Sequence, residues 1–346
     1  MKTNLFGLTP SKLKAVVSSL GLPTFTATQL VEWMYKKQVV SFADMTNLSK
    51  QAREKLETEY TVQLIPSTKV QISTDGTKKY LYPTQTAKFI EAAYIPDSDR
   101  ATLCVSTQIG CKMGCLFCMT GKQGFQGNLS AGEILNQIQS LPEFEKLTNI
   151  VYMGMGEPLD NVDAVLDSIE IMTSEKGYGW SPKRITVSTI GIIPAMITFL
   201  EKSQAHLAVS LHSPFDAERQ EIMPIQSVYP ITEVIAEIRR WELGRQRRIS
   251  FEYIMFKGVN DTARHANELV RLLNGIKCRI NLIRFHPIPD TPLEGTSEEG
   301  ILEFQNRLKA KGLTVTIRAS RGQDIFAACG LLSTKELVKK QQQTDF

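Results

Sequence analysis

The chain has 346 residues, 42% hydrophobic and 22% charged, an ordinary globular composition with room for one large core and a small accessory domain. Disordered and collagen-like classes are excluded, and no stretch approaches the roughly 20 uncharged apolar residues of a membrane span, so no membrane partner is expected. The net charge of +4 is unevenly placed, because residues 1–60 hold eight Lys/Arg against five Asp/Glu. A second basic cluster, Arg239, Arg240, Arg245, Arg247 and Arg248, stands in "IRRWELGRQRRIS". Such patches suit phosphate-rich partners, although a solvated surface reads the same way. The opening "MKTNLFGLTPSKLK" lacks the apolar core of a signal peptide, which predicts a cytoplasmic protein. Structural disulfides are rare in that compartment, so clustered cysteines there point to metal ligands or redox catalysts.

From Thr9 to about Tyr60 the pattern is helical, with Leu13, Val16, Val17 and Leu20 on one face and Leu30, Trp33 and Met34 on the next, broken at "GLP" and "FADMT". Residues 69–95 change period. Asp75-Gly76 between two alternating runs in "VQISTDGTKKYLY" predicts a hairpin, and "KFIEAAYI" reads as a further strand. These shifts divide the chain into a helical accessory domain at 1–60, hairpin and linker strands at 61–96, and a main domain at 97–346 that ends in a helix. After Arg100 seven apolar strands, "ATLCVST", "NIVYMG", "RITVST", "HLAVSL", "RISFEYIMF", "RINLIRF" and "TVTIRAS", alternate with amphipathic helices such as "SAGEILNQIQSL" and "HANELVRLLN". Strict alternation implies βαβ units and a parallel sheet, either doubly wound or curled into a partial barrel. Unusual residues follow nearly every strand, at "GMGEP", "STIG", "SLHSP", "RFHPIP" and "SRGQDIFAACG", which favours a partial (β/α) barrel with its site at the mouth.

Four of the six cysteines lie in "CVSTQIGCKMGCLFC": Cys104, then Cys111, Cys115 and Cys118 in C-x3-C-x2-C spacing. Thiolates are soft ligands, and zinc and an iron-sulfur cluster are the two occupants to weigh. A structural zinc site closes with four ligands, commonly two separated pairs, and here there is one C-x2-C and no histidine in the loop. Three cysteines suit a 4Fe-4S cluster with one iron open; zinc with Cys104 as fourth ligand and unligated thiols stay open as alternatives.

The motifs narrow the choice. "RATLCVSTQIGCKMGCLFCMTGKQGFQGNLSAGEI", "VYMGMGEPLDN", "VSTIG", "SLHSP" with "IMPI", and "DIFAACG" resemble, in type and order, those of the RlmN/Cfr-type radical S-adenosylmethionine RNA methyltransferases, over most of the chain to residue 332. The match is closer to the RlmN branch, which methylates carbon 2 of adenine, than to the Cfr branch, which methylates carbon 8. The resemblance implies a transferase that acts on an adenosine in the peptidyl-transferase centre of 23S rRNA, before ribosome assembly is complete, and on an adenosine next to the anticodon in tRNA. It also implies a monomer that takes electrons from a reductant such as flavodoxin.

It further implies residue roles. Cys111, Cys115 and Cys118 would ligate the 4Fe-4S cluster, and Gly156, Glu157, Ser188, Ser210, Leu211, His212 and His286 would contact S-adenosylmethionine, with Gly154 shaping the same "GEP" turn. Cys329 would accept a methyl group and carry it to the base, Glu91 would take the adenine proton, and Cys104 would attack Cys329 to release the RNA and leave a disulfide. Read from residues alone, Cys329 would be a core thiol and Glu91 a solvent-facing strand residue. Two positions depart from the family pattern: His286 stands where asparagine is usual, and Phe326 replaces the second aspartate of "DIDAACG". Cys278 reads as core packing. A non-catalytic RNA-binding protein with a structural metal is the rival of another class.

Overall fold

The computed structural model describes residues 2–241 and 247–334; Arg245 and the helix expected at the C-terminal end lie outside the described residues. Near the N-terminus, α1 (Pro10–Ser19) starts where the Thr9 hydroxyl accepts the Lys12 N–H and a proline takes the first helical position. Helix α2 (Phe25–Val31) runs on through a π-helical turn at Glu32–Lys36, and "FADMT" forms a 3-10 turn at Phe42–Asp44. Helix α3 (Lys50–Glu59) is capped by Ser49, and the segment closes where Thr3–Asn4 pairs in parallel with Tyr60–Thr61. The apolar face of these helices is not separate from the rest: Leu13, Val17, Leu30, Met34 and Tyr35 belong to the same buried cluster as the barrel. Gly7 and Gly132 allow the contact, since a Cβ on Gly7 would lie 2.2 Å from the Gly132 nitrogen.

Ten strands form one sheet in which each pairs with its neighbours in sequence. Strands β1 (Lys69–Ile72), β2 (Lys78–Pro83) and β3 (Phe89–Pro96) are antiparallel, with Gly76 at φ +84° in the predicted hairpin turn. Strand β3 then adds antiparallel to β4 (Ala101–Cys104), which sets Ala93 opposite Cys104. Hairpin and main domain therefore share one continuous sheet. From β4 onward the sheet is parallel, through β5 (Asn149–Tyr152), β6 (Ile185–Thr189), β7 (His206–Ser210), β8 (Ile249–Met255), β9 (Cys278–Arg284) and β10 (Val315–Ile317). All seven predicted strands are present. Among the described residues β10 pairs only with β9 and β1 only with β2, so the barrel is partial, and the sequential order marks it as barrel-like rather than doubly wound.

Helices cover the outer face. Helix α4 (Met119–Gln123) follows the cysteines; α5 (Ala131–Gln139), α6 (Val162–Thr173), α7 (Ile193–Lys202), α8 (Asp216–Ile222), α9 (Ile231–Arg239), α10 (Ala263–Leu273) and α11 (Glu298–Ala310) follow in order. The period-2 pattern shows why the mouth is polar. In β6, Ile185 and Val187 are buried while Thr186 and Ser188 alternate with them on the less buried face, so apolar residues meet the helices and a serine is left at the strand's C-terminal end.

Candidate active site

Strand β4 stops at Cys104, so the segment before Cys111 is not the continuous strand that "ATLCVST" suggested. A bridge between Gln108–Ile109 and Gly127–Asn128 then clamps the base of the cysteine loop. Gly110, at φ +73°, makes that clamp possible: a Cβ there would fall 1.7 Å from the Gly124 carbonyl oxygen. The loop is fixed at three further points, by Leu116 N–H to Ile222 O (3.1 Å), Met119 N–H to Gly330 O (2.8 Å) and the Thr120 hydroxyl to Leu332 O (2.6 Å). The last two tie it to the segment that carries Cys329.

A cavity of about 320 Å³ opens at the C-terminal ends of the parallel strands. Cys111, Cys115 and Cys118 line it, and Gly156, Glu157, Ser188, Ser210, His212 and His286 face the same space. Cys104 and Cys329 line it as well, but Cys104 packs with Ala93 and Ala327 in a small cluster distinct from the one that contains Cys111, Cys115 and Cys118. Two of the expected residues are placed differently. Leu211 is fully buried in the main core and does not line the cavity. Glu91 sits outside it too, buried behind the Cys329 segment, where it pairs with Lys79 (3.0 Å) and accepts the Ser333 N–H (2.9 Å). It is not the solvent-facing residue that strand periodicity alone suggests. Cys278 is half-buried against the main core.

Burial governs the electrostatics. It pushes the thiols of Cys104 and Cys111 up to about 12 and that of Cys115 well above the ordinary value; for Cys104 the neighbouring Cys329 adds to the rise and the Arg318 charge opposes it. Burial also lifts Glu157 to about 7, against the hydrogen bonds it accepts from the Thr189 hydroxyl (2.6 Å), Ile190 N–H (3.1 Å) and Leu159 N–H (3.1 Å). Glu91 is raised by desolvation and drawn back by Lys79. His212, driven down to about 3 by burial and by Arg219, is neutral: its Nδ1 accepts the Ile254 N–H at 3.0 Å, and its backbone is left-handed at φ +56°.

Comparison with known proteins gives this arrangement a family. Residues 3–62 match the model of the ribosomal RNA large subunit methyltransferase N-terminal domain, and residues 105–272 that of the radical SAM superfamily. The chain is 55% identical, over 97% of its length and 98% of the relative's, to a probable dual-specificity RNA methyltransferase RlmN of Parabacteroides distasonis. The chain belongs to the RlmN family. A dual-specificity RNA methyltransferase RlmN of Syntrophus aciditrophicus is 42% identical over 98% of this chain and 99% of its own. The crystal structure of a radical SAM methyltransferase from Sphaerobacter thermophilus superposes with a TM-score of 0.87 at 40% identity, covering 95% of this chain and 99% of that one.

Members of the radical S-adenosylmethionine superfamily use a 4Fe-4S cluster and S-adenosylmethionine, and the residues present in this RlmN-family chain fit both. Three soft thiols on one clamped loop face a shared cavity with no fourth thiol packed among them, a donor set for a cluster with one open iron. Among the described residues no group of three His, Cys, Asp or Glu is arranged to hold a single metal ion. The cavity also offers an unmet acceptor: Glu252 Oε2 is buried with no hydrogen-bond donor, its nearest cation being Arg318 at 3.5 Å.

Sequence reasoning missed Glu252, Arg318 and Arg219. Arg219 is fully buried; its guanidinium donates to the carbonyls of Leu211 (3.1 Å), Ile190 (2.9 Å) and Ser210 (3.0 Å) and to the Gln226 side-chain oxygen (2.6 Å). It laces together the ends of β6 and β7, which carry Ser188 and Ser210. Its signal in the sequence was slight, one arginine in "DAERQEI" where a solvent-facing helix residue is the default reading.

Proposed function

We propose that this RlmN-family enzyme methylates carbon 2 of an adenosine in the peptidyl-transferase centre of 23S rRNA and of an adenosine beside the anticodon in tRNA. The observation that carries the reading is that two further thiols, Cys104, packed apart from Cys111, Cys115 and Cys118, and Cys329, line the same cavity as those three and lie near enough for Cys329 to raise the pKa of Cys104. Carbon 2 of adenine is electron-poor and carries no acidic proton, so transfer as a simple cation is closed to it. When bound, the cluster and S-adenosylmethionine supply the methyl group and, after one-electron reduction, the means to abstract hydrogen from it.

The protein's own groups do the rest. The cysteine loop holds the cluster through Cys111, Cys115 and Cys118; the Glu157 turn, Ser188, Ser210, His212 and His286 orient S-adenosylmethionine, and Leu211, with both backbone groups bonded inside the protein, holds the turn between Ser210 and His212 in place. Cys329, exposed at the rim, takes the methyl group on its sulfur and forms the bond through that carbon to the base. The Glu91 carboxylate takes the proton from carbon 2 as the radical adduct gives back, to the oxidised external donor, the one electron that the abstraction drew in; reaching the base requires residues 329–334 to shift off Glu91. Cys104 then attacks the Cys329 sulfur, forming a disulfide as the bond from that sulfur to the methylene carbon breaks and the carbon takes a proton to become the methyl group, and two electrons and two protons from an external reductant and solvent restore both thiols. Arg318 lines the cavity and opposes the raised pKa of both thiols, which favours the thiolates these steps need.

Residues 1–60 serve as the RNA-docking surface, 61–96 as a lateral extension that braces the Cys329 segment, and 97–346 as the catalytic barrel. The enzyme works as a cytoplasmic monomer on rRNA not yet fully assembled and takes electrons from flavodoxin or a similar donor. Among the described residues no helix is long and apolar enough to cross a membrane. The test is anaerobic incubation with 23S rRNA, S-adenosylmethionine and a reductant, the RNA then digested and the methyl position read by mass spectrometry. A methyl at carbon 8 would assign the enzyme to the Cfr type, and iron-free protein that transfers no methyl would return the reading to a non-catalytic RNA binder.

A further inference from the structure

A shallow groove of about 610 Å³ lies beside the catalytic cavity, with His286 and Ser320 lining both. Phe326 walls it, opposite Ser73 and Thr74 of the hairpin turn, with Pro287 and Gln323 alongside. Phe326 is 63% exposed, and its backbone is left-handed (φ 53°, ψ 42°), a conformation in which a bulky aromatic is strained. Its backbone is fixed, the N–H donating to Gln323 O (3.1 Å) and the carbonyl accepting from Lys79 Nζ (3.5 Å), while the ring points to solvent. An exposed ring held at a strained position beside a reaction site points to a binding role.

We propose that Phe326 is a stacking platform for the nucleobase next to the target adenosine, and that this groove is the subsite for that neighbouring nucleotide. The inference rests on the RNA methyltransferase reading. Charge selects a base over the phosphate backbone. Asp75 and Asp324 lie in the groove wall, held by Gly322 N–H (2.9 Å) and Thr77 N–H (2.9 Å), and by the Ser73 hydroxyl (2.5 Å) and Thr74 N–H (3.2 Å). Two carboxylates repel phosphate but leave a neutral base free to stack. Lys79, at the Phe326 carbonyl, is buried and paired with Glu91, whereas Arg100 and Arg321, which share Asp97, and Arg318, beside Glu252, line the catalytic cavity and suit the phosphates that flank an extruded adenosine. Base–aromatic stacking tolerates any base, so Phe326 contributes affinity and position more than sequence preference.

The test uses the reconstituted enzyme with S-adenosylmethionine and synthetic RNA hairpins that carry the target adenosine, with 2-aminopurine placed either 5′ or 3′ of it. Phe326→Tyr is expected to bind within about twofold of wild type, and Phe326→Leu, which keeps apolar bulk but no ring, at least about fivefold more weakly. Fluorescence at one of the two 2-aminopurine positions should fall on binding to wild type and recover with Phe326→Leu. Equal affinities for the Tyr and Leu variants, or 2-aminopurine that stays bright at both positions, would overturn the subsite while methylation of the hairpin by wild type leaves the proposed function standing. Failure of wild type to methylate any RNA would instead remove the reading on which the subsite rests.

Discussion

Replacing Arg219 with methionine tests whether one buried cation holds the cofactor-binding strand ends in register. Methionine fills much of the apolar part of the side chain and deletes the guanidinium. Of its four acceptors, Leu211 O keeps the Ser213 N–H (2.7 Å) and the Gln226 oxygen keeps the Ile231 N–H (3.1 Å), so the loss falls on the carbonyls of Ile190 and Ser210. Each buried acceptor deprived of its donor costs about 1–3 kcal/mol, or about 2–6 kcal/mol for the pair. At about 2 °C per kcal/mol for a chain of this size, the melting temperature should fall by about 4–12 °C. The same loss frees the ends of β6 and β7, so the dissociation constant for S-adenosylmethionine should rise at least about tenfold, measured by isothermal titration on reconstituted protein. Arg219→Lys offers one compact ammonium in place of a planar fork and should recover only part of either effect. A methionine variant that melts within about 1 °C of wild type and binds S-adenosylmethionine normally would refute the strand-lacing role.

Cys104→Ala should accumulate a covalent protein–RNA species on a denaturing gel, and Cys329→Ala should form none; release of product at the normal rate by the Cys104 variant would remove it as the resolving thiol. Lys79 lowers the pKa of Glu91, so Lys79→Met leaves a buried, unpaired carboxylate that ionises only at higher pH, and the acidic limb of the pH–rate profile should move upward. Burial raises Glu157 from 4.5 to about 7, so the folded state binds this proton more tightly than the unfolded state. Its contribution to stability is full below about pH 4.5 and is lost as pH rises to about 7, by at most about 3 kcal/mol, and Glu157→Gln should flatten that part of the cofactor-free stability profile. Asp75→Ala removes the acceptor of the Gly322 N–H and should speed hydrogen exchange across residues 322–334, with a change in melting temperature of about 2 °C or less. Charge reversal at exposed Lys14, Lys36 and Lys37 should weaken RNA binding and lower its salt dependence by roughly one unit of slope for each phosphate no longer neutralised. Deleting residues 1–60 is the wrong experiment, since it would strip Leu13, Leu30, Met34 and Tyr35 from the shared core.

Periodicity made the architecture legible, because each strand from Ala101–Cys104 to Cys278–Arg284 is a short apolar run with an amphipathic helix after it, and Asp75-Gly76 announced its hairpin. The continuity of hairpin and barrel was not legible. It depends on β3 lying antiparallel to β4, and a strand's pattern says which residues are buried but not which edge it joins. The cysteines could be read because C-x3-C-x2-C is local. Arg219, Glu252 and Arg318 could not, since each acquires its role from partners on other elements: Arg219 from carbonyls up to 29 residues away, Glu252 and Arg318 from each other across the sheet.

The same contrast explains why Cys104 stands apart from the other three cysteines of its stretch. Proximity in sequence places it seven residues before Cys111, yet the strand that ends at Cys104 delivers its thiol against Ala93 and Ala327, while the clamp at Gln108–Ile109 turns the chain and carries the next three thiols into another cluster. Cys329 arrives from β10 on a segment fastened at both ends. Gly322 and Asp324 bind the hairpin turn, and Gly330 and Leu332 receive donors from the cysteine loop itself. The segment that bears the reactive thiol is thus anchored to both halves of the site, and its Ser333 N–H seals Glu91 in the same stroke. In the proposed reaction the Cys329 sulfur takes a methyl group, is joined through it to a base and then meets Cys104, so it has to move between partners. The hydrogen bonds to Asp75, Asp324 and Glu91, together with those that Gly330 and Leu332 accept, oppose that motion, so in the proposed reaction the hairpin acts on the chemistry through the segment it restrains.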